Sequence, residues 1–368
     1  MKQQAWLSRV SLAVAPIIVA LLLSGLLVIA VGGNPLQALT EVLRGGFRDV
    51  ASFAGVVNFW IPLTLAATGL IVTFTAGLWN IGVDGQITMG AIFASAVALS
   101  WNLPGPLLVI AQLVAAMIGG AFWGAVCGFL KTRLGVNEIF GGVALNQIAS
   151  LATLYMISGP WQPPEGGSVR GSPPFPPESL FPVISDEFSV SLVMLIVVVI
   201  SLVMIGLALR GTRWGLSLKA TGQNARSALL LGVPVNRSAL SAFIVCGMLA
   251  GMAGAFRTQF AFTSPSIRPL VSGGIGFLAV LVALVVARRI SWLPLVTFAF
   301  SALLGGSAQL KAVLRLDVAL VGVLQGVLVL TILLFNGLRT RLESRTSDRS
   351  GTSATPTPSV SGSEAVHG

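Results

Sequence analysis

From Gly85 to Leu130 the chain carries no charged residue. A helix crossing a hydrocarbon layer of about 30 Å takes about 20 apolar residues, so this run is too long for one crossing. Asn102, Pro104, Gly105 and Pro106 supply the turn that divides it. The rest of the sequence has the same pattern, apolar intervals separated by short polar segments rich in Gly and Pro. With 55% hydrophobic and only 9% charged residues in 368, too little polar surface exists to cover a water-soluble fold of this size. The expected fold class is all-α, a polytopic transmembrane helical bundle.

Counting uncharged intervals predicts about ten spans, near residues 10–31, 59–78, 86–101, 107–130, 139–158, 189–209, 238–257, 273–287, 292–310 and 318–338. The first follows Lys2 and Arg9 and ends at Gly32 and Gly33. It exceeds the apolar core of a secretory signal, about 7–15 residues, and reads as an uncleaved helix. Residues 1–338 form the membrane domain. Residues 339–368 turn to Arg, Ser, Thr and Pro and are expected to be a disordered cytoplasmic tail.

The net charge of +10 does not point to nucleic acid, because the basic residues stand singly or in pairs and form no stripe with interleaved aromatics. They report topology. With the N-terminus inside, Lys2, Arg9, Lys131, Arg133, Arg288, Arg289, the tail arginines and all basic residues of 210–237 face the cytoplasm, which is most of the 22 in the chain. The segments 32–58 and 159–188 fall outside and mix acids with bases. Both termini are then cytoplasmic. Cys127 and Cys246 lie inside spans and His367 is in the tail, so no metal site or disulfide framework is expected. No catalytic set is expected either: there is no HExxH, no Ser–His pair within the spans, and the topology puts Asp84 and Asp317 on opposite sides.

The segment 159–188 is rich in Pro and Gly, which disfavours helix and sheet. It reads as an extended cover over the outer face or as a plain connector. Three other stretches carry more than hydropathy. In 74–91, Asn80, Asp84 and Gln86 cluster around Gly82 and Gly85. Glycines between two apolar helices permit a backbone break, and a break at membrane depth is tolerated only against protein or a wet cavity. Such a cluster suits a solute path, and an ordinary cytoplasmic turn with Asp84 in water fits the same pattern. In 131–148, Asn137 and Glu138 open a span and Asn146 lies further in. An amide there lines a path or makes an interhelical hydrogen bond, and Glu138 doubles as a helix N-terminal charge.

The third stretch is 210–237, with Arg210, Arg213, Lys219, Arg226 and Arg237 and no acid. A short helix is predicted over 220–231, bounded by Gly222 on one side and by Gly232 and Pro234 on the other. Arg226 and Leu229 to Leu231 on it suit insertion into a groove of a soluble subunit, or the helix lies on anionic headgroups. Small residues also recur at four-residue spacing at Gly120, Gly124 and Gly128 and at Gly247 and Gly251. That spacing permits close helix approach, most simply within one chain.

Taken together, GLWNIGVDGQ, GVNEIFGGVALNQI, the stretch from Gly215 to Ala255 and GGIGFLAVLVAL resemble the permease subunits of ATP-binding cassette importers for branched-chain amino acids, simple sugars and nucleosides. The nearest branch is the nucleoside permeases that work with a basic-membrane-type lipoprotein. The resemblance runs from about Ile61 to Leu334. The family phrase Asn-Ile-Gly-(Ala/Val)-Glu-Gly-Gln is matched from Asn80 to Gln86 with Asp84 in place of Glu. The coupling motif, Arg-Ala-x-Gly-x-Asn followed by Ala-Ala and Gly-Ile, is matched at Ala220, Gly222, Asn224, Ala228 and Gly232, with Lys219 in place of Arg, Ser227 in place of an Ala and Val233 in place of Ile.

The resemblance implies a bundle similar to type II importers, in the cytoplasmic (inner) membrane of a bacterium. The implied partners are a cytoplasmic ATPase, a second, paralogous permease, and an extracytoplasmic substrate-binding lipoprotein. It implies Asn80, Asp84, Gln86, Asn137, Glu138 and Asn146 beside the translocation path, and Lys219, Gly222, Asn224, Arg226, Ala228, Leu230 and Gly232 in ATPase coupling. The chain has no GxxxxGK[ST] segment. It is therefore expected to bind no cofactor itself, with ATP and Mg used by the partner ATPase. The cargo implied is a small neutral polar solute, nucleosides first, with ribose-like sugars or branched-chain amino acids as alternatives. An ion-coupled secondary transporter is the reading from another class, for which Asp84 and Glu138 are the intramembrane candidates.

Overall fold

Lipid offers no partner for backbone N–H and C=O groups, so apolar intervals at membrane depth satisfy them internally as helices. The computed structural model describes residues 32–163, 171–260, 264–286 and 290–314, with scattered helical positions between 19 and 30 and between 322 and 335. The helices are α1 (Pro35–Phe47), α2 (Val50–Thr75), α3 (Val83–Ser100), α4 (Gly105–Leu134), α5 (Glu138–Ser158), α6 (Leu192–Gly211), α7 (Arg213–Gln223), α8 (Ala225–Leu230), α9 (Val235–Phe260), α10 (Ile275–Val286) and α11 (Leu293–Leu314). No strand occurs among the described residues, only an isolated bridge between Val183 and Ser191.

Six of these helices, α2 to α6 and α9, are long and apolar enough to cross a membrane, and α10 and the stretch Ile290–Gly306 are shorter apolar helices. The described residues thus form an all-helical polytopic membrane protein. They do not carry the count to ten, because the spans expected at 10–31 and 318–338 lie largely outside them, as do Asp317 and the tail from 339. Two departures from the sequence reading have local causes. Helix α2 starts well before residue 59 because the Asp49 carboxylate accepts the Ser52 N–H at 2.7 Å and nucleates the turn. The segment 32–58, expected from its charges to lie outside, contains α1, with Asn34 accepting from Leu36 N at 3.0 Å and Gln37 N at 3.3 Å and Pro35 at the first helical position.

Helix α9 is the centre, packed against α2, α3 and α4. Its close approach to α4 runs through the glycine rows: a Cβ on Gly120 would overlap the Gly247 carbonyl, and one on Gly251 would overlap the Ala116 carbonyl. Gly90 and Gly254 do the same between α3 and α9. The small residues therefore serve packing within this chain, as their spacing suggested. Helices α5 and α6 are peripheral, with 28% of their most apolar stretch buried against 72% for α9. The outward face of α6 carries Ile196, Val199, Ile200, Val203, Met204 and Leu207.

The Pro-rich segment is tied down and is more than a connector. Ser172 N donates to Ile267 O and Phe175 N to Pro265 O, each at 2.9 Å. Gln112 of α4 donates to the Ser179 carbonyl at 2.8 Å, and Gln259 of α9 donates to Gln112 Oε1 and the same carbonyl at 3.1 Å each. Prolines leave this strap few N–H groups to bury, and side-chain amides from two helices take up the Ser179 carbonyl.

Gly120→Leu should lower the melting temperature and yield of the purified protein by an amount corresponding to about 1–3 kcal/mol of overpacking or more. Gly55→Ala, where a Cβ meets nothing within 4 Å, should leave both unchanged or slightly raised. Equal thermal stability of the two variants would contradict the backbone-to-backbone contact.

Candidate functional site

Helix α2 ends at Thr75, and Gly77 at φ +74° reverses the chain. Residues 76–82 then run back into the bundle, where Asn80 lies against Cys246, well inside α9. Helix α3 starts only at Val83. A helix that begins inside an apolar bundle strands its first N–H groups, and a non-helical stretch strands carbonyls. Buried amides take them up. Asn146 of α5 accepts from Gly85 N at 2.7 Å and donates to Ile81 O at 3.0 Å, so one side chain closes both sides of the break. Asn80 and Gln86 bond reciprocally at 3.1 and 3.2 Å, and Asn80 Nδ2 also reaches Cys246 Sγ at 3.1 Å. All three amides are buried.

The cluster is tight because three glycines admit it: a Cβ at Gly85 would lie 2.8 Å from Trp123 Nε1, at Gly82 2.9 Å from Cys127 Sγ, and at Gly142 2.6 Å from Gly82 N. The buried Trp123 indole N–H meets no acceptor among the described residues. It leaves one donor of the cluster unspent.

Asp84 is only 9% exposed, so the reading of an ordinary turn with this carboxylate in water does not hold. Its Oδ2 accepts from Ser272 Oγ at 2.9 Å and its Oδ1 from Gly276 N at 3.2 Å. Gly276 stands in the first turn of α10, so the carboxylate caps that helix from the side and meets the positive end of its dipole. Two interruptions of the bundle, 76–82 and the segment before α10, are thereby joined through one residue. Sequence reasoning missed Ser272, Gly276, Cys246 and Trp123. The signal for the first two was present in Ser272-Gly273-Gly274-Ile275-Gly276, as Gly-rich as the stretch at 82–85.

The other two path candidates do not join this cluster. Asn137 is exposed and caps α5, accepting from Ile139 N at 2.9 Å. Glu138 pairs with Lys131 at 2.5 Å across the α4–α5 turn. That places them at the helix end, in capping and pairing contacts.

The basic segment differs from its expected form. The helix predicted over 220–231 is two helices, because the Asn224 side chain accepts from Ser227 N at 3.0 Å and starts α8 with a cap where α7 ends. Gly222 does not bound a helix. It lies within α7, where a Cβ would overlap the Thr75 carbonyl and lie 2.9 Å from Gly77 N. Helix α7 is thus seated backbone to backbone on the end of α2 and the start of the break.

Helix α8 is anchored by buried Ala228 and ended by Gly232 at φ +80°. Leu229, Leu230 and Leu231 are 64%, 84% and 83% exposed, and Arg226 is exposed beside them. Lys219 is exposed on α7, away from this leucine face, beside Arg210.

A family model described as the permease component of the branched-chain amino acid transport system matches residues 52–333. The chain belongs to that permease family. Relatives include a glucose ABC transporter permease of Haloferax volcanii, 26% identical over 89% of this chain and 87% of its own. A nucleoside ABC transporter permease of Lactococcus lactis is 26% identical over 73% and 75%, and a guanosine ABC transporter permease of Bacillus subtilis 25% identical over 76% and 80%. The permease is therefore a multi-pass membrane subunit of the ABC type, and its matched region takes in the break, both glycine rows and the α7–α8 pair.

Asn146→Leu keeps the approximate volume and leaves Gly85 N and Ile81 O unpaired, at about 1–3 kcal/mol for each stranded group. Thermal unfolding in detergent should show a clear loss of stability, with Asn146→Asp losing less because it keeps an acceptor for Gly85 N. Wild-type stability in Asn146→Leu would remove the stapling role.

Proposed function

We propose that this chain is the translocation subunit of an ATP-driven importer for a small neutral polar solute, nucleosides in the first place. The observation that carries the reading is α8: three consecutive exposed leucines beside Arg226, on a helix whose neighbour α7 is seated on the broken end of α2. A surface of that kind has no use in a finished water-facing loop. It suits a groove on a soluble ATPase. The partners proposed are that ATPase, which uses ATP and Mg, a second paralogous permease and an extracytoplasmic binding lipoprotein. The spans at 10–31 and 318–338 would complete a ten-span, type II importer-like bundle in the inner membrane, with both termini in the cytoplasm.

Mechanistically, ATPase closure displaces α8 and α7, the Gly222 contact moves the end of α2 and residues 76–82, and the path opens alternately to either side. Such coupling requires different contacts in the two states. Asn80, Asp84, Gln86 and Asn146 border the path and hold its hinge. Asn137 and Glu138 stand at its cytoplasmic end. Lys219, Gly222, Asn224, Ala228 and Gly232 shape and seat the docking surface that Arg226 and Leu230 present. Nucleoside-transporting relatives and the amide-rich character of the cluster support nucleosides. The glucose permease relative, matched over most of its length, supports sugar as the second reading.

Leu230→Asp together with Arg226→Glu should abolish co-purification of the ATPase while the chain stays inserted, since losing a central apolar anchor costs about 2 kcal/mol or more, roughly thirtyfold in affinity. Undiminished co-purification would refute docking through α8. In reconstituted transporter, competition by uridine, adenosine, ribose, glucose and leucine should leave the two nucleosides as the only strong inhibitors. Inhibition by glucose or ribose alone would replace the nucleoside reading with sugar. A cysteine at Ile184 should react with an impermeant thiol reagent in intact cells and one at Leu216 only after permeabilisation. The reverse pattern would invert the topology.

A further inference from the structure

A cavity of about 450 Å³ lies between the ends of α2 and α6, helix α7 and the turn before α11, lined by Thr75, Gly206, Leu209, Arg210, Lys219, Gln223, Ile290 and Ser291. Its lining is mixed: Gly206, Leu209 and Ile290 are apolar, and beside them stand two cations, Arg210 and Lys219, the amide of Gln223 and the hydroxyls of Thr75 and Ser291. Among the described residues no acid lines it and neither cation is in an ion pair, the pairs being Glu41–Arg44, Arg48–Asp49 and Lys131–Glu138.

Along α6, Val199 and Val203 share the helix face of Gly206 and Arg210 by spacing and are 54% and 53% exposed, so the cavity opens onto the outward apolar face of that helix. Arg210 lies in the last turn of that helix, where the apolar face gives way to polar residues. A surface that runs from apolar helix face to paired cations at the helix end matches one kind of molecule in its order of groups: acyl chain, glycerol, phosphate.

We propose that this cavity binds the headgroup of an anionic phospholipid, with the phosphate between Arg210 and Lys219 and an acyl chain along α6. Arg210 presents a planar fork that accommodates two phosphate oxygens, and Lys219 adds a point charge from α7. The site joins α6 to α7, and through Gly222 α7 is seated on the break at 76–82. The bound lipid therefore ties the basic segment to the lipid-facing rim of the bundle. This assignment stands whether or not α8 docks an ATPase.

The test is native mass spectrometry of the full-length protein released from nanodiscs of phosphatidylglycerol or of phosphatidylcholine. Wild-type protein should retain phosphatidylglycerol and not phosphatidylcholine. Each basic residue near an anionic surface contributes about fivefold, so Arg210→Gln with Lys219→Gln should retain the lipid about thirtyfold less. Arg210→Lys should keep most of the retention, and Arg226→Gln, a cation outside the cavity, all of it. Equal retention by wild type and the double variant, equal retention of both lipids, or displacement by millimolar inorganic phosphate would each overturn the proposal. So would a double variant that holds lipid normally and instead loses a co-expressed ATPase, which would give the cavity to a protein partner.

Discussion

A helix interrupted inside an apolar bundle leaves backbone groups that nothing in lipid can satisfy, and much of this structure follows from meeting that demand at residues 76–82. The amide of Asn146 takes one donor and one acceptor from opposite sides of the break, and Asn80 and Gln86 hold each other across six residues. None of these contacts would form unless α3, α4, α5 and α9 came unusually close. The glycines at 82, 85, 90, 120, 142, 247 and 251 let them. The polar cluster and the small-residue rows are two halves of one solution: the first makes the break tolerable, the second brings its partners within reach.

The break is also the place where distant parts of the chain meet. Asp84 joins it to the first turn of α10, and Gly222 seats α7 on Thr75 and Gly77. On the proposed reading, a displacement of α8 by a soluble motor reaches the interior through the backbone-to-backbone seat of Gly222 on Thr75 and Gly77 and through α9, where Trp214 of α7 donates to Ser241 Oγ at 2.9 Å. Helix α9, flush against α3 and α4, is the part least free to move. The strap over the opposite end, held by Gln112 and Gln259, is tied to α4 and α9 and so belongs to that fixed frame.

Much of this is legible in the sequence. The division of the 85–130 run at Asn102–Pro106 and the limits of α5 were readable because charge, proline and a capping Asn mark them in one dimension. The family motifs located the break and the basic segment. Helix α1 was not legible to hydropathy, since it carries Glu41 and Arg44 and is only half apolar; Asn34-Pro35 was the signal for it. The split at Asn224 was missed because a residue that caps one helix can equally be read as lying within another. The partners of Asp84 were beyond reach, as Ser272 and Gly276 are nearly two hundred residues away and only packing brings them near. The glycine rows announced close packing, but not which helix answered which.

The central claim is that α7 and the broken end of α2 move as one body. Spin labels at Leu216 on α7 and Trp79 in the break, both exposed, would measure it by electron paramagnetic resonance in the reconstituted transporter, with and without trapped ATP. The account expects the distance between them to stay fixed while the distance from either label to one at the exposed Trp101, beyond the far end of α3, changes. A change in the Leu216–Trp79 distance on ATP binding, with α7 sliding past the break, would contradict it.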